Sequence, residues 1–157
     1  MLFRSLGFLV APHALGPKLL QAKQAADLHT PSFNQRIVHE VIRSGFLDAH
    51  VPTIRALYKT KRNAMLAALA RHMPAGVTWN APAGGMFLWM RLPDGLDAAA
   101  LLPAAVARGV AFVPGAPFVA GAAQAHTLRL SFVTATLEEI ERGCAALGRT
   151  FAEAIAG

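Results

Sequence analysis

Cysteine occurs once among the 157 residues, as Cys144. A single thiol excludes an internal disulfide and any multi-cysteine metal site, and it fits a reducing cytosol. The surrounding "ERGCAALGRT" has a helical pattern, which assigns Cys144 to packing rather than to nucleophilic chemistry. Paired metal-ligand spacing is missing as well: His13, His29, His39, His50, His72 and His126 form no H-x-x-x-H, so no metal is expected. No apolar run reaches the roughly eighteen residues needed to span a bilayer, so no membrane partner is expected. The N-terminal "MLFRSLGFLVAPHA" is a poor secretory leader. Its apolar stretch, Leu6 to Ala11, falls below the usual minimum of about seven residues, and Gly7 and Pro12 interrupt it. A cytoplasmic location is expected.

Acidic residues are also scarce, nine against 15 Lys and Arg, which leaves a formal charge of +6. Such a balance raises the question of a nucleic-acid partner. The densest cluster is "IRALYKTKRNAM", where Arg55, Lys59 and Arg62 share one helical stripe and no aromatic residue interleaves to stack on bases. A solvated helix face is expected there, and no nucleic acid. What the chain has in plenty is apolar side chains: 54% hydrophobic against 15% charged. That share exceeds the usual ~45–50%, which includes glycine, so part of the apolar surface is expected to meet a partner or another segment.

The periodicities describe helices first and short strands later. Leu6 to Ala11 suggests a buried strand stopped by Pro12, followed by a helix from about Pro17 to Ala26. Thr30-Pro31 breaks it. Ser32 is a candidate N-cap for a second helix with Phe33, Ile37 and Val41 aligned, closed by Gly45. A long third helix starts near Asp48 or His50 and carries Val51, Ile54, Leu57, Tyr58, Met65, Leu69 and Met73 on one stripe until Pro74-Ala75-Gly76. Beyond it, "VTWN", "GGMFLWMRLP", "GVAFVPG" and "HTLRLSFV" suggest strands. One intervening helix begins near Leu101, with Pro103 in its first turn. A terminal helix opens on the capping box Thr136/Glu139 and buries Ile140, Cys144, Leu147 and Phe151. The fold class is α/β.

Three stretches could carry chemistry. In "HTLRLSFV", alternation puts Leu128, Leu130 and Phe132 on one face and Thr127, Arg129 and Ser131 on the other. Arg129 is then either a guanidinium facing water or a bidentate clamp for a carboxylate, whose two oxygens match its planar fork. In "APAGGMFLWMRLP", Gly84-Gly85 either enters a bulged, buried strand or lets a ligand or another backbone come close. In "GVAFVPGAPF", Pro114, Gly115 and Pro117 make a rigid turn that lines a pocket or simply connects elements.

In order along the chain, "RSLGFLVAP", "KQAADLHTPSFNQ", "HVPTIRALYKTKRNAML", "PAGGMFLWMRLP", "GVAFVPGAPF" and "LRLSF" resemble the C-terminal half of fold-type I, pyridoxal-phosphate-dependent aminotransferases of class I/II. The similarity is to the branch of 2-aminoadipate and related aminotransferases, and to the aminotransferase-like domain of MocR-type regulators. It covers essentially the whole chain. The resemblance implies a tail of the large domain at residues 1–47, an interdomain helix at 48–74 and a small C-terminal α/β domain at 75–157. It further implies pyridoxal 5'-phosphate as cofactor, an amino acid and a 2-oxo acid as substrates, and a homodimer.

Residue by residue, Arg129 matches the arginine that clamps the substrate α-carboxylate, and Gly84 and Gly85 sit where the small domain approaches the pocket. Met86, Phe87, Val113 and Pro114 would be buried neighbours or pocket wall. Gly7 aligns with the last glycine of the family's P-G-x-R-x-G segment, so the phosphate position falls on Ser5, and Arg4 is one residue out of register as a cofactor-binding candidate. The Schiff-base lysine would lie before Met1. None of Lys18, Lys23, Lys59 and Lys61 matches it. Transamination needs that amine, so the isolated chain is expected to be an inactive fragment. The alternative is an amino-acid-sensing effector domain remnant of a MocR-type regulator.

Overall fold

A computed structural model describes residues 6–121 and 124–157. The chain is α/β and forms two compact units, one ending at Pro52 and the other running from Thr53 to Gly157. Its helices are α1 (Gly16–Asp27), α2 (Ser32–Ile42), α3 (Phe46–His72), α4 (Ala98–Ala107) and α5 (Leu137–Ala156), and its strands are β1 (Thr78–Trp79), β2 (Phe87–Arg91), β3 (Val113–Pro114) and β4 (Thr127–Ser131). No described helix is long and apolar enough to cross a membrane.

The first unit is helical. Residues 6–11 form no strand, contrary to the expectation from their apolar run, and Phe8 is 94% exposed. A strand exists only where a neighbour takes up its backbone groups, and no described residue pairs with this segment. Helix α1 follows a short 3-10 turn at His13–Leu15, with Pro17 tolerated at its start where no intrahelical donor is needed. Ser32 does not cap α2: Pro31 occupies the N-cap, and Ser32 is the first helical residue. The Gln35 side chain donates to Thr30 O at 2.8 Å instead. Gly45, at φ +77°, supplies the left-handed turn after the helix. Neither α1 nor α2 contains a buried residue.

The second unit holds the core. Its four strands are antiparallel in the order β1-β2-β4-β3, with Leu88 opposite Leu130, Met90 opposite Leu128 and Trp89 opposite Arg129. Leu88, Met90, Leu128 and Leu130 are at most 4% exposed, and they cluster with Met65 and Leu69 of α3 and with Ile140, Cys144, Leu147 and Phe151 of α5. The stripe expected on α5 is therefore its buried face. Thr136 and Glu139 close the expected capping box: Thr136 Oγ1 accepts from Glu139 N, and Glu139 Oε2 accepts from Thr136 N. Helix α4 begins at Ala98, three residues earlier than expected, because Asp97 Oδ1 accepts from Ala99 N at 2.8 Å and supplies the cap. Pro103 consequently lies inside the helix.

Two glycines of α5 have opposite surroundings. A Cβ at Gly148 would meet His72 O at 2.2 Å, so α5 packs there through a missing side chain. A Cβ at Gly143 would meet only Val110 Cγ2, at 3.5 Å. In a helix interior, Gly to Ala gains up to about 1 kcal/mol from propensity. Gly143→Ala is expected to show most of that gain in a urea titration. Gly148→Ala is expected to lower the midpoint, because overpacking against backbone costs about 1–3 kcal/mol and outweighs the gain.

Candidate functional site

Arg129 is the middle residue of β4, flanked by β2 and β3, with Trp89 opposite on one side and Val113 on the other. Its side chain leaves the sheet on the face away from the core and is half-buried. Two phenyl rings lie against it: Cζ is 4.1 Å from the Phe87 centroid and 4.7 Å from the Phe118 centroid. Phe118 in turn meets Trp89 edge-on, at 6.1 Å between centroids. Among the described residues, no carboxylate or carbonyl is bonded to the Arg129 guanidinium. A cation held by ring faces gains about 0.5–2 kcal/mol depending on desolvation. Its N–H donors point outward in the guanidinium plane, where a carboxylate can take two of them.

A cavity of about 830 Å³ touches Arg129 and Phe87 and extends past Val113 to Ile140, Cys144 and Leu147 of α5. Gly84 and Gly85 line a different one, of about 620 Å³, together with Arg55, Lys59 and Arg62. Gly85 has φ +87°, a conformation that favours glycine, and a Cβ at either glycine would meet no atom within 4 Å. The basic stripe is thus more than a solvated helix face. Arg62 is half-buried and donates from Nη1 to Pro82 O at 2.9 Å and Ala83 O at 3.2 Å, fastening the segment that precedes the glycine pair. Sequence reasoning missed that role, and it missed the placement of Phe118 on Arg129. The only local signal for the latter was the rigid turn at Pro114, Gly115 and Pro117.

Each lysine has its own surroundings. Lys18 donates to Gln21 Oε1 and Lys23 pairs with Asp27, while Lys61 Nζ donates to Val133 O at 2.7 Å and Lys59 lines the glycine cavity. Within the second unit, neither Lys59 nor Lys61 lines the larger cavity. Arg4 and Ser5 lie outside the described residues. The described residues contain no cluster of three His, Cys, Asp or Glu that could hold a metal. Glu141 receives hydrogen bonds from Arg71 and His72, which hold its carboxyl below the usual carboxylate range.

The profile of the family described as "Aminotransferase class I and II" matches residues 6–147. The chain is 50% identical over 143 residues to the 2-aminoadipate transaminase of Thermus thermophilus, covering 90% of this chain and 36% of that protein. It is 44% identical over 149 residues to the aromatic-amino-acid aminotransferase 1 of Thermococcus litoralis, covering 94% of this chain and 36% of that protein. Its fold superposes on LysN, an alpha-aminoadipate aminotransferase from Thermus thermophilus complexed with N-(5'-phosphopyridoxyl)-L-leucine, at a TM-score of 0.82 and 46% identity. That match covers 94% of this chain and 38% of the LysN chain. The chain thus spans just over a third of the length of the relatives it matches.

Cys144 is buried, and burial, followed by the nearby Glu141 carboxylate, pushes its thiol up to about 11. Only the thiolate attacks, so at pH 8 about one thiol in a thousand is reactive even before access is considered. The folded chain is expected to react very slowly with an aromatic disulfide reagent at pH 8. One thiol should be released promptly in denaturant, and fast labelling of the folded chain would contradict the packing.

Proposed function

We propose a role in amino-group transfer for this chain, which belongs to the class I and II aminotransferase family: Arg129 holds the α-carboxylate of an amino acid or of its 2-oxo acid. The observation that carries this is a half-buried guanidinium on the open face of the sheet, flanked by Phe87 and Phe118, with its donors unspent among the described residues. A guanidinium partly withdrawn from bulk water, with no carboxylate bonded to it among the described residues, is well placed to take one from a ligand. Gly84 and Gly85 would let another part of the molecule or the substrate approach the unit closely. The likeness to a 2-aminoadipate transaminase and to an aromatic-amino-acid aminotransferase supports an amino acid as donor and a 2-oxo acid as acceptor.

Pyridoxal 5'-phosphate, the cofactor of this family, supplies an aldehyde and an electron sink, and a lysine amine must anchor it. None of Lys18, Lys23, Lys59 and Lys61 matches the family's anchoring lysine, so in this reading residues 1–157 contribute the carboxylate site and do not turn over alone. In this reading residues 1–47 belong to the large domain, 48–74 to the interdomain helix and 75–157 to the small domain, within a cytoplasmic homodimer. An amino-acid-sensing domain would use the same clamp without turnover.

Titration of the purified chain with pyridoxal phosphate, trapped with borohydride and read by mass spectrometry, tests this proposal with and without a co-expressed N-terminal aminotransferase half. The chain alone is expected to give no stoichiometric lysine adduct, and the pair is expected to bind cofactor and transfer the amino group. Losing one partner of a desolvated charge pair costs about 2–5 kcal/mol, so Arg129→Ala should lower kcat/KM of the pair by about 30-fold or more. A specific adduct with the chain alone, or an unchanged kcat/KM in the variant, would sink the proposal. Amino-acid binding by the pair without turnover would favour the sensing alternative.

A further inference from the structure

The segment joining β3 to β4 has features that a simple connection does not require. Gly115 is buried, and its N donates to Thr127 O at 2.7 Å. A Cβ at this position would meet Thr127 Oγ1 at 2.2 Å and Trp89 Cζ2 at 2.8 Å, so only glycine lets the backbone lie down on β4 and Trp89. Thr127 cannot move aside easily: it is fully buried, and its Oγ1 donates to Gln124 O at 2.8 Å. From Gly115 the chain winds into a 3-10 turn over Ala116–Phe118, closed by Phe118 N donating to Gly115 O at 2.9 Å, with Pro117 restricting φ within it. The outcome is a phenyl ring that remains 53% exposed yet lies 4.7 Å from Arg129 Cζ, braced edge-on by Trp89.

An exposed phenyl ring contributes little to a core. Against a guanidinium it does something specific, because its face attracts the cation while leaving the in-plane N–H donors uncovered. We propose that Phe118, delivered by Gly115 and working with Phe87, is a positioning residue for Arg129. The rings hold the guanidinium in one orientation before any carboxylate arrives, so the rotamer freedom of a long side chain is already surrendered and does not oppose binding. The identity of the ligand rests on the reading of Arg129 as a carboxylate clamp. The immobilisation of Arg129 is a property of this chain alone.

Two measurements on the full chain separate these claims. The first is the heteronuclear NOE of the Arg129 Nε–H in the ligand-free protein. Wild type and Phe118→Tyr, which keeps the ring, are expected to be rigid. Phe118→Leu, which keeps apolar volume without the ring face, and Gly115→Ala, which displaces the turn, are expected to be mobile. Phe118 is half-exposed, so its leucine variant should retain the wild-type amide spectrum even if Gly115→Ala fails to fold. The second is a titration of that signal with 2-oxoglutarate, with its dimethyl ester as control. Binding is expected to weaken about tenfold in Phe118→Leu and to be restored in Phe118→Tyr. Equal rigidity in wild type and Phe118→Leu, or equal affinity, overturns the positioning role. A rigid wild-type signal that ignores 2-oxoglutarate overturns the clamp while leaving the immobilisation of Arg129 in place.

Discussion

The pairing of β2 with β4 is the constraint on which both the core and the candidate site depend. Because side chains alternate along a strand, one register sends Leu88, Met90, Leu128 and Leu130 inward and Phe87, Trp89 and Arg129 outward. A slip of one residue would exchange the two sets, burying a guanidinium and exposing four aliphatic chains. The packing of Met65 and Leu69 from α3 and of Leu147 and Phe151 from α5 against the inner set therefore also fixes where Arg129 points. Core and site are two faces of a single choice of register.

Two arginines of the second unit illustrate how surroundings decide the use of one residue type. Arg62 spends donors on Pro82 O, Ala83 O and Asn63 Oδ1, which makes it a fastener of the segment before Gly84. Arg129 meets ring faces, which satisfy its charge without consuming its N–H donors among the described residues. Hydrogen bonds to charged donors are among the stronger polar contacts in a protein, so a guanidinium that has already made them has less to offer a ligand. Between these two, Arg129 is the one whose donors are left unspent among the described residues.

The high apolar share of the chain also has a location. In the first unit Phe8, Leu9, Val10, Leu28 and Phe33 are each more than 70% exposed, and α1 and α2 bury nothing. In the second unit the helices and sheet enclose a continuous core. Amphipathic helices draw most of their stability from packing of the apolar face, and neither helix has a fully buried residue to supply it.

The sequence by itself determined the features that are settled within a few neighbouring residues. The Thr136/Glu139 cap, the Ile140-Cys144-Leu147-Phe151 stripe, the alternation through Arg129 and the glycine turn at Gly45 all follow from spacing, because a cap or a face needs only its own turn or strand. The family resemblance was legible in the same local strings. Tertiary structure alone decided whether residues 6–11 form a strand, since a strand requires a partner. It also decided that Arg62 fastens the segment before Gly84 and that Phe118 comes to rest on Arg129. Those outcomes depend on how close separate segments approach, as where Gly115 lies on Thr127 and Trp89. No local periodicity encodes such a distance.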